Sequence, residues 1–293
     1  MSTRGRIRGP GGCCLESRGG EAITKSTLRR GSRLGKYRLI RRLGSGSFAE
    51  VWKARDSVES RDVALKIVER SAVEDWDRDA IEREARIAAK LTHPNVVALR
   101  NADWIDGRFV LATDLATRSL AEYAPARRSP RVGIGVIGDA SAGLAHAHGN
   151  RILHLDLKPE NIMVFSDGRA ALADFGTSRI ADRVTRTYTE AGTLGYIAPE
   201  QAYGRPRMAS DVFSLGLVAL ELLVGRLPTW PFEWPPCEVG RFDRRVPEPI
   251  QRVLKKASQL DPDRRYPDAM ALHAALSAAM IDVTRQALPR RKA

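Results

Sequence analysis

Apolar and polar residues alternate through "YRLIRRLGSGSFAEVWKARD" (37–56), broken once by glycine and serine, and this predicts two strands joined by a turn. "RDVALKIVE" (61–69) predicts a third strand. The period then changes. In "WDRDAIEREARIAAKL" (76–91), Ile81, Ala85, Ala88 and Leu91 fall near helical spacing with charges elsewhere, as in an amphipathic helix. "VVALRNADWIDGRFVLATDL" (96–115) predicts a hairpin turning at Asp106-Gly107. Beyond about residue 118 the texture becomes helical, with helices expected over 131–149, 208–224, 247–259 and 267–283. Strands first and helices later indicate an α+β chain, with a small sheet lobe and a larger helical lobe. The two meet near 114–118, and a cleft between lobes is where ligands usually bind. No internal repeat is visible.

Composition narrows the setting. A chain of 293 residues can bury a substantial core, as one large domain or two packed lobes. The longest apolar run, "VFSLGLVALELLVG" (212–225), contains Glu221 and falls short of the roughly 18 residues of a membrane span, so none is expected. No N-terminal segment has the apolar core of a secretory signal. Cys13, Cys14 and Cys237 make no disulfide framework, and the adjacent pair lacks zinc-ligand spacing, so a reducing cytoplasm is the expected location. The net charge of +13 invites a nucleic-acid reading, which its distribution weakens. Residues 1–36 hold nine Lys/Arg against two Asp/Glu, and Arg285, Arg290, Arg291 and Lys292 lie near the other end. The expected organisation is a basic disordered head (1–36), a folded body (37–283) and a basic tail (284–293). Nucleic-acid contact through the head is the minor alternative, and the sequence leaves the oligomeric state open.

The stretch "ILHLDLKPEN" (152–161) alternates like a buried strand, yet carries Asp156, Lys158 and Asn161. A loop carboxylate can accept a proton from an attacking hydroxyl, and a lysine two residues on can steady a transferring phosphoryl group. An amide oxygen five residues after the Asp can complete the shell of a hard cation such as Mg²⁺. The bland alternative is a turn whose polar groups satisfy the backbone. "ADFG" (173–176) follows a short apolar run, at a separation that lets a hairpin bring Asp174 and Asn161 to one metal. "LGSGSFAEV" (43–51) is a glycine turn whose bare N–H groups can approach phosphates, although such a turn alone is more often a plain hairpin. Lys66 lies on the next strand, and Glu84, on the amphipathic helix, is its natural counter-ion; a helical Glu by itself is usually solvated.

The order and spacing of these elements resemble the protein kinase family, over about Tyr37 to Met280. The run "TRTYTEAGTLGYIAPEQ" resembles the activation segments of the eukaryotic-like serine/threonine kinases of bacteria. The resemblance implies a bilobal fold, with an N-lobe over 37–113, a hinge over 114–118 and a C-lobe over 119–283. It implies that Leu43, Gly44, Ser45, Gly46, Ser47 and Phe48 cover the phosphates of ATP, with Val51 and Ala64 roofing adenine. Lys66 would bind the α/β-phosphates and pair with Glu84. The peptide groups of Asp114 and Ala116 would take adenine's polar edge, with Thr113 as gatekeeper. Asp156 would orient and deprotonate the acceptor, Lys158 would steady the γ-phosphoryl group, and Asn161 with Asp174 would hold Mg²⁺, or Mn²⁺ in its place. Thr193 would shape the acceptor site, and Thr185 and Thr187 sit where relatives autophosphorylate. Glu200 would pair with Arg265, and Asp211 would hold the catalytic-loop backbone. The implied activity is transfer of the γ-phosphoryl group of ATP to Ser/Thr hydroxyls of protein substrates. The rivals are a pseudokinase scaffold, opposed by the presence of Lys66, Asp156, Asn161 and Asp174, and a small-molecule phosphotransferase, opposed by "GTLGYIAPE".

Three positions depart from the family pattern. Ala49 replaces the usual third loop glycine. Ala88 stands where a larger apolar residue commonly bridges helix and sheet, which leaves the helix loosely held. Leu155 stands where relatives activated by loop phosphorylation have an arginine, whose guanidinium grips the phosphate bidentately. Leucine cannot do so.

Overall fold

The structure is a computed structural model and describes residues 28–45, 49–68, 78–123, 130–175, 194–227 and 239–287. Its first lobe is an antiparallel sheet of β1 (Arg33–Leu34), β2 (Tyr37–Ser45), β3 (Ala49–Asp56), β4 (Arg61–Val68), β5 (Leu99–Ile105) and β6 (Arg108–Asp114), in the order β1-β2-β3-β4-β6-β5. Alternation decides which face is dry. Tyr37, Leu39, Trp52, Ala54, Val63, Leu65, Ile67, Val110 and Ala112 bury one face together with Leu34. The intervening residues Val51, Ala64, Lys66, Leu111 and Thr113 therefore share the other face. Asp106 (φ 49°) and Gly107 (φ 73°) both adopt the left-handed conformation that a two-residue hairpin turn requires.

Helix α1 (Arg78–Ala89) lies beside β5. Among its described side chains only Ala85 is buried, in a small cluster with Val68 and Phe109. Trp104 Nε1 adds a polar tie, donating to Glu82 Oε1 at 3.0 Å. Among the described side chains of α1, Ala85 and Glu82 thus make contact with the sheet.

The second lobe is built from α2 (Pro130–Gly149), α3 (Pro199–Ala202), α4 (Met208–Val224), α5 (Val239–Arg245), α6 (Glu248–Ala257) and α7 (Ala269–Ala287). Helix α4 is apolar on nearly every side and runs through the core, which explains why it holds the longest apolar run in the sequence. Gly225, at φ 89°, caps it by donating its N–H to Glu221 O. A three-stranded sheet of β7 (Arg118–Ser119), β8 (Ile162–Val164) and β9 (Ala170–Leu172) completes the lobe on its cleft side.

One expectation needs correction. The folded lobe reaches back into the segment read as a head: Leu34 is 1% exposed, β1 pairs with β2, and Leu28 packs on the same core. Residues 1–27 lie outside the described residues. Removal of 1–27 should leave the melting temperature within about 2 °C, whereas removal of 1–36 should lower it by about 5 °C or more, since Leu34 is worth roughly 2 kcal/mol of burial. Equal melting temperatures for the two truncations would refute the packing role of Leu34. The stretch 152–161, for all its strand-like alternation, is the loop its polar residues indicated, and it ends in a 3-10 helix (Pro159–Asn161). Proline at the start of that turn and the polar residues around it override the alternation.

The lobes also meet away from the hinge. Leu91 and Val96, in the connection from α1 to β5, are buried in the helical lobe's core. Asn95 O accepts from Leu172 N, Val97 N donates to Leu172 O, and Asn95 Nδ2 reaches Ala170 O at 2.8 Å. Gly143 of α2 makes this seam possible, because a Cβ there would sit 2.1 Å from the backbone oxygen of Asn95. Gly143→Ala should therefore destabilise at the upper end of the roughly 1–3 kcal/mol range for overpacking, a fall of about 5 °C or more in Tm. An unchanged Tm on thermal unfolding would mean that the seam yields freely.

Candidate active site

Lys66 stands in the middle of β4, opposite Val51 on one side and Leu111 on the other, on the wet face of the sheet. Ala64 and Thr113 are cross-strand partners on that same face. The residues proposed as adenine roof, gatekeeper and phosphate-binding lysine thus line one surface. At Gly44 the space where a Cβ would stand is open, and Leu43 is partly exposed. Gly46, Ser47 and Phe48 lie outside the described residues.

At the junction of the lobes, the Asp114 carboxylate is committed to structure. Arg100 donates to it through Nε (2.7 Å) and Nη2 (3.0 Å), and Arg61 Nη2 through a third bond of 3.0 Å. Its N–H already donates to Ala98 O at 3.2 Å. An adenine contact at Asp114 therefore falls to its carbonyl.

The catalytic loop is organised around backbone groups. Asp211, fully buried at the start of α4, accepts from His154 N (2.8 Å) and Leu155 N (2.7 Å). His148 Nε2 lies 2.9 Å from the same carboxylate, and its Nδ1 accepts from Ala269 N, which assigns the remaining ring hydrogen to Nε2. These bonds hold Leu155 at φ 62°, a left-handed conformation that costs a side chain of this kind roughly 1–2 kcal/mol. His154 is completely buried, with Nε2 3.0 Å from Ala173 O and Nδ1 facing Asp156 N at 3.4 Å. Burial pushes its imidazole below the usual histidine range, which keeps the ring neutral, with Nε2 donating.

Asp156 follows. Its Oδ2 lies 2.9 Å from Asn161 Nδ2 and 3.0 Å from Lys158 Nζ, while the same Asn161 amide also donates to Asp156 O at 2.8 Å. Both bonds fall on one carboxylate oxygen, so among the described residues Oδ1 is left for an incoming hydroxyl. Because the NH₂ of Asn161 faces Asp156, its amide oxygen lies on the opposite branch. The β8–β9 hairpin then returns the chain, and Ala173 N donates to Asn161 O at 2.9 Å. Asp174 follows at φ 60°, with Oδ1 2.9 Å from Lys66 Nζ. Partial burial would raise its carboxyl pKa; the ammonium of Lys66 outweighs this and holds it below the usual carboxylate range. Phe175 is buried against the His154 ring, with centroids 4.7 Å apart, and so fixes the residue after Asp174.

The structure thus brings together Lys66, Asp156, Lys158, Asn161 and Asp174. The expected partner of Lys66, Glu84, has a side chain outside the described residues, as are Thr185, Thr187 and Thr193. Arg265 is buried and grips Glu200 through two bonds, Nη1–Oε1 (2.7 Å) and Nη2–Oε2 (3.0 Å). Sequence reasoning passed over His154, the ring that props Asp156 and Phe175, and Gln201, whose Nε2 donates to Leu155 O at 2.6 Å. Both stand beside residues singled out by motif, and adjacency was the only signal.

The family model of the protein kinase domain matches residues 37–274. The chain belongs to the protein kinase family. It is 31% identical over 264 residues to the serine/threonine-protein kinase PrkC of Bacillus subtilis, covering 84% of this chain and 40% of that protein. It is 32% identical over 246 residues to the serine/threonine-protein kinase PknD of Mycobacterium tuberculosis, covering 81% of this chain and 36% of that protein. The chain therefore spans about two-fifths of the length of these relatives. The crystal structure of the Mycobacterium tuberculosis PknI kinase domain superposes with a TM-score of 0.67 at 24% identity, over 86% of this chain and all of that one. The two-lobed arrangement is thus the kinase fold, small β lobe and larger helical lobe.

Proposed function

We propose that this protein is a serine/threonine protein kinase that transfers the γ-phosphoryl group of ATP to hydroxyls of protein substrates. The observation that carries the reading is the placement of Asp156, tied through one carboxylate oxygen to Asn161 and Lys158. Its other oxygen can orient the acceptor hydroxyl and take its proton. Lys158 adds positive charge where the transferring group builds negative charge, and Lys66 positions the nucleotide's phosphates. Lysine two residues after the Asp supports Ser/Thr over Tyr acceptors.

Kinases as a family use ATP with a divalent cation. The Asp174 carboxylate and the Asn161 amide oxygen, brought together by the β8–β9 hairpin, are hard oxygen donors that fit Mg²⁺, with Mn²⁺ as the alternative. Such a cation neutralises charge on the nucleotide's phosphates. The cysteine usage favours a reducing cytoplasm as the site of action, and no described helix is long and apolar enough to cross a membrane. The basic segment 1–27 could contact an anionic partner, and catalysis does not call on it.

Incubation of the purified chain with γ-labelled ATP and Mg²⁺ or Mn²⁺, followed by mass spectrometry of phosphosites, tests the reading. Label on serine and threonine is expected. Nucleotide binding without transfer under either metal would favour the pseudokinase scaffold instead.

A further inference from the structure

Leu155 leaves the catalytic loop without the arginine through which a phosphate could order it, and yet the backbone of this residue is clamped on both sides. Its N–H is held by Asp211 and its carbonyl by Gln201, at 2.7 and 2.6 Å. Only the NH₂ end of an amide can face a carbonyl oxygen, so chemistry fixes the orientation of Gln201. The other end, Oε1, is buried without a hydrogen-bond partner among the described residues. An arrangement that leaves one polar atom unpaired to keep the other in place calls for a reason.

The support beneath Gln201 is stiff. It sits on α3 beside Glu200, whose carboxylate accepts from Arg265 and from Ser210 Oγ at 2.6 Å. Arg265 also donates to the carbonyls of Gln259 (2.6 Å), Leu260 (2.8 Å) and Ala209 (2.9 Å). A donor mounted on such an anchor holds its acceptor at a fixed place. Because the Leu155 backbone is left-handed, it relaxes if either end is released, and Asp156 moves with it.

We propose that Gln201 is a positioning residue, a permanent latch between the anchored end of the activation segment and the catalytic loop, which holds Asp156 ready without a phosphate on the segment. The inference rests on the protein kinase reading above. It identifies what stands in for the electrostatic switch that Leu155 cannot support, and makes the loop's order independent of phosphorylation.

The test compares Gln201→Met, which keeps length and removes the donor, and Gln201→Glu, which sets an oxygen against the carbonyl, with wild type. Both should lower kcat about tenfold or more with KM for ATP within about twofold, because the latch touches neither nucleotide nor metal. Gln201→Lys, which restores a donor of sufficient reach, should recover part of the loss. Hydrogen exchange at the Leu155 to Leu157 amides, which needs no turnover, should accelerate in Gln201→Met; if the variants fold poorly, this comparison is made at a temperature where far-UV dichroism is native. Thr185→Ala/Thr187→Ala and phosphatase-treated wild type should both lose less than about tenfold in kcat/KM. Wild-type kcat and exchange in Gln201→Met would overturn the latch. A hundredfold loss on phosphatase treatment would overturn its independence of phosphate. Absence of transfer by wild type that still binds ADP would instead sink the kinase reading, and accelerated exchange would still report the latch itself.

Discussion

Asp156→Asn should abolish measurable phosphoryl transfer while nucleotide affinity stays within a few-fold. The substitution is nearly isosteric and keeps an oxygen for Asn161 and Lys158, so the loop should stay folded. What disappears is the basic oxygen that takes the acceptor's proton. General-base catalysis contributes about 10²–10⁴-fold, roughly 3–5 kcal/mol of barrier, so kcat should fall by about a thousandfold. Single-turnover transfer measured beside ADP titration separates the two effects. A variant that keeps near-wild-type turnover would remove Asp156 from the base role.

Lys66→Met should be comparably severe, for a different reason. Lys66 lies on a rigid central strand, flanked by β3 and β6, and its ammonium is held by Asp174 at 2.9 Å. Methionine keeps the length and loses the charge. Transfer should fall by about a hundredfold or more. The Asp174 carboxyl also loses the cation that depresses its pKa, so it should titrate at higher pH in the variant. The wild-type carboxyl's contribution to stability is present above its unfolded-state pKa and lost as pH falls through its lower folded value. Removing Lys66 therefore moves the acid limb of the stability curve upward. Transfer assays and acid unfolding of both proteins test the two halves, and an unaltered transfer rate would sink the phosphate-positioning role.

Much of this was legible beforehand, and the reason is periodicity. The helix expected over 208–224 is found with those bounds, because an apolar stretch ending in glycine leaves the chain one choice. Strands β2 to β6 of the first lobe and the Asp106-Gly107 turn were read the same way. Illegible were β1 and β7, two residues each and too short to show a period, while β8 and β9 were foreseen only as a hairpin between Asn161 and Asp174. The 152–161 loop was ambiguous because its alternating residues serve two purposes: Leu157 fills the core while Asp156 and Lys158 face the cleft. At the site, motif spacing located the charged residues but not their geometry. That Asn161 restrains Asp156, or that Asp114 spends its carboxylate on Arg100 and Arg61, depends on contacts between segments distant in sequence.

The join at Asn95 and Val97 bears on how the molecule can move. A body attached to another at one flexible strand can rock in any direction. Among the described residues, backbone fastens the sheet lobe at two separated places, the crossing at 114–118 and the bonds of Asn95 and Val97 with Leu172. The Lys66–Asp174 ion pair also spans the cleft, through side chains that can part. Two backbone ties define a line, and rotation about that line is the large freedom these ties leave. Opening of the cleft should therefore be a swing like that of a door on two pins, with the glycine-rich edge of the sheet travelling farthest and β9 hardly at all.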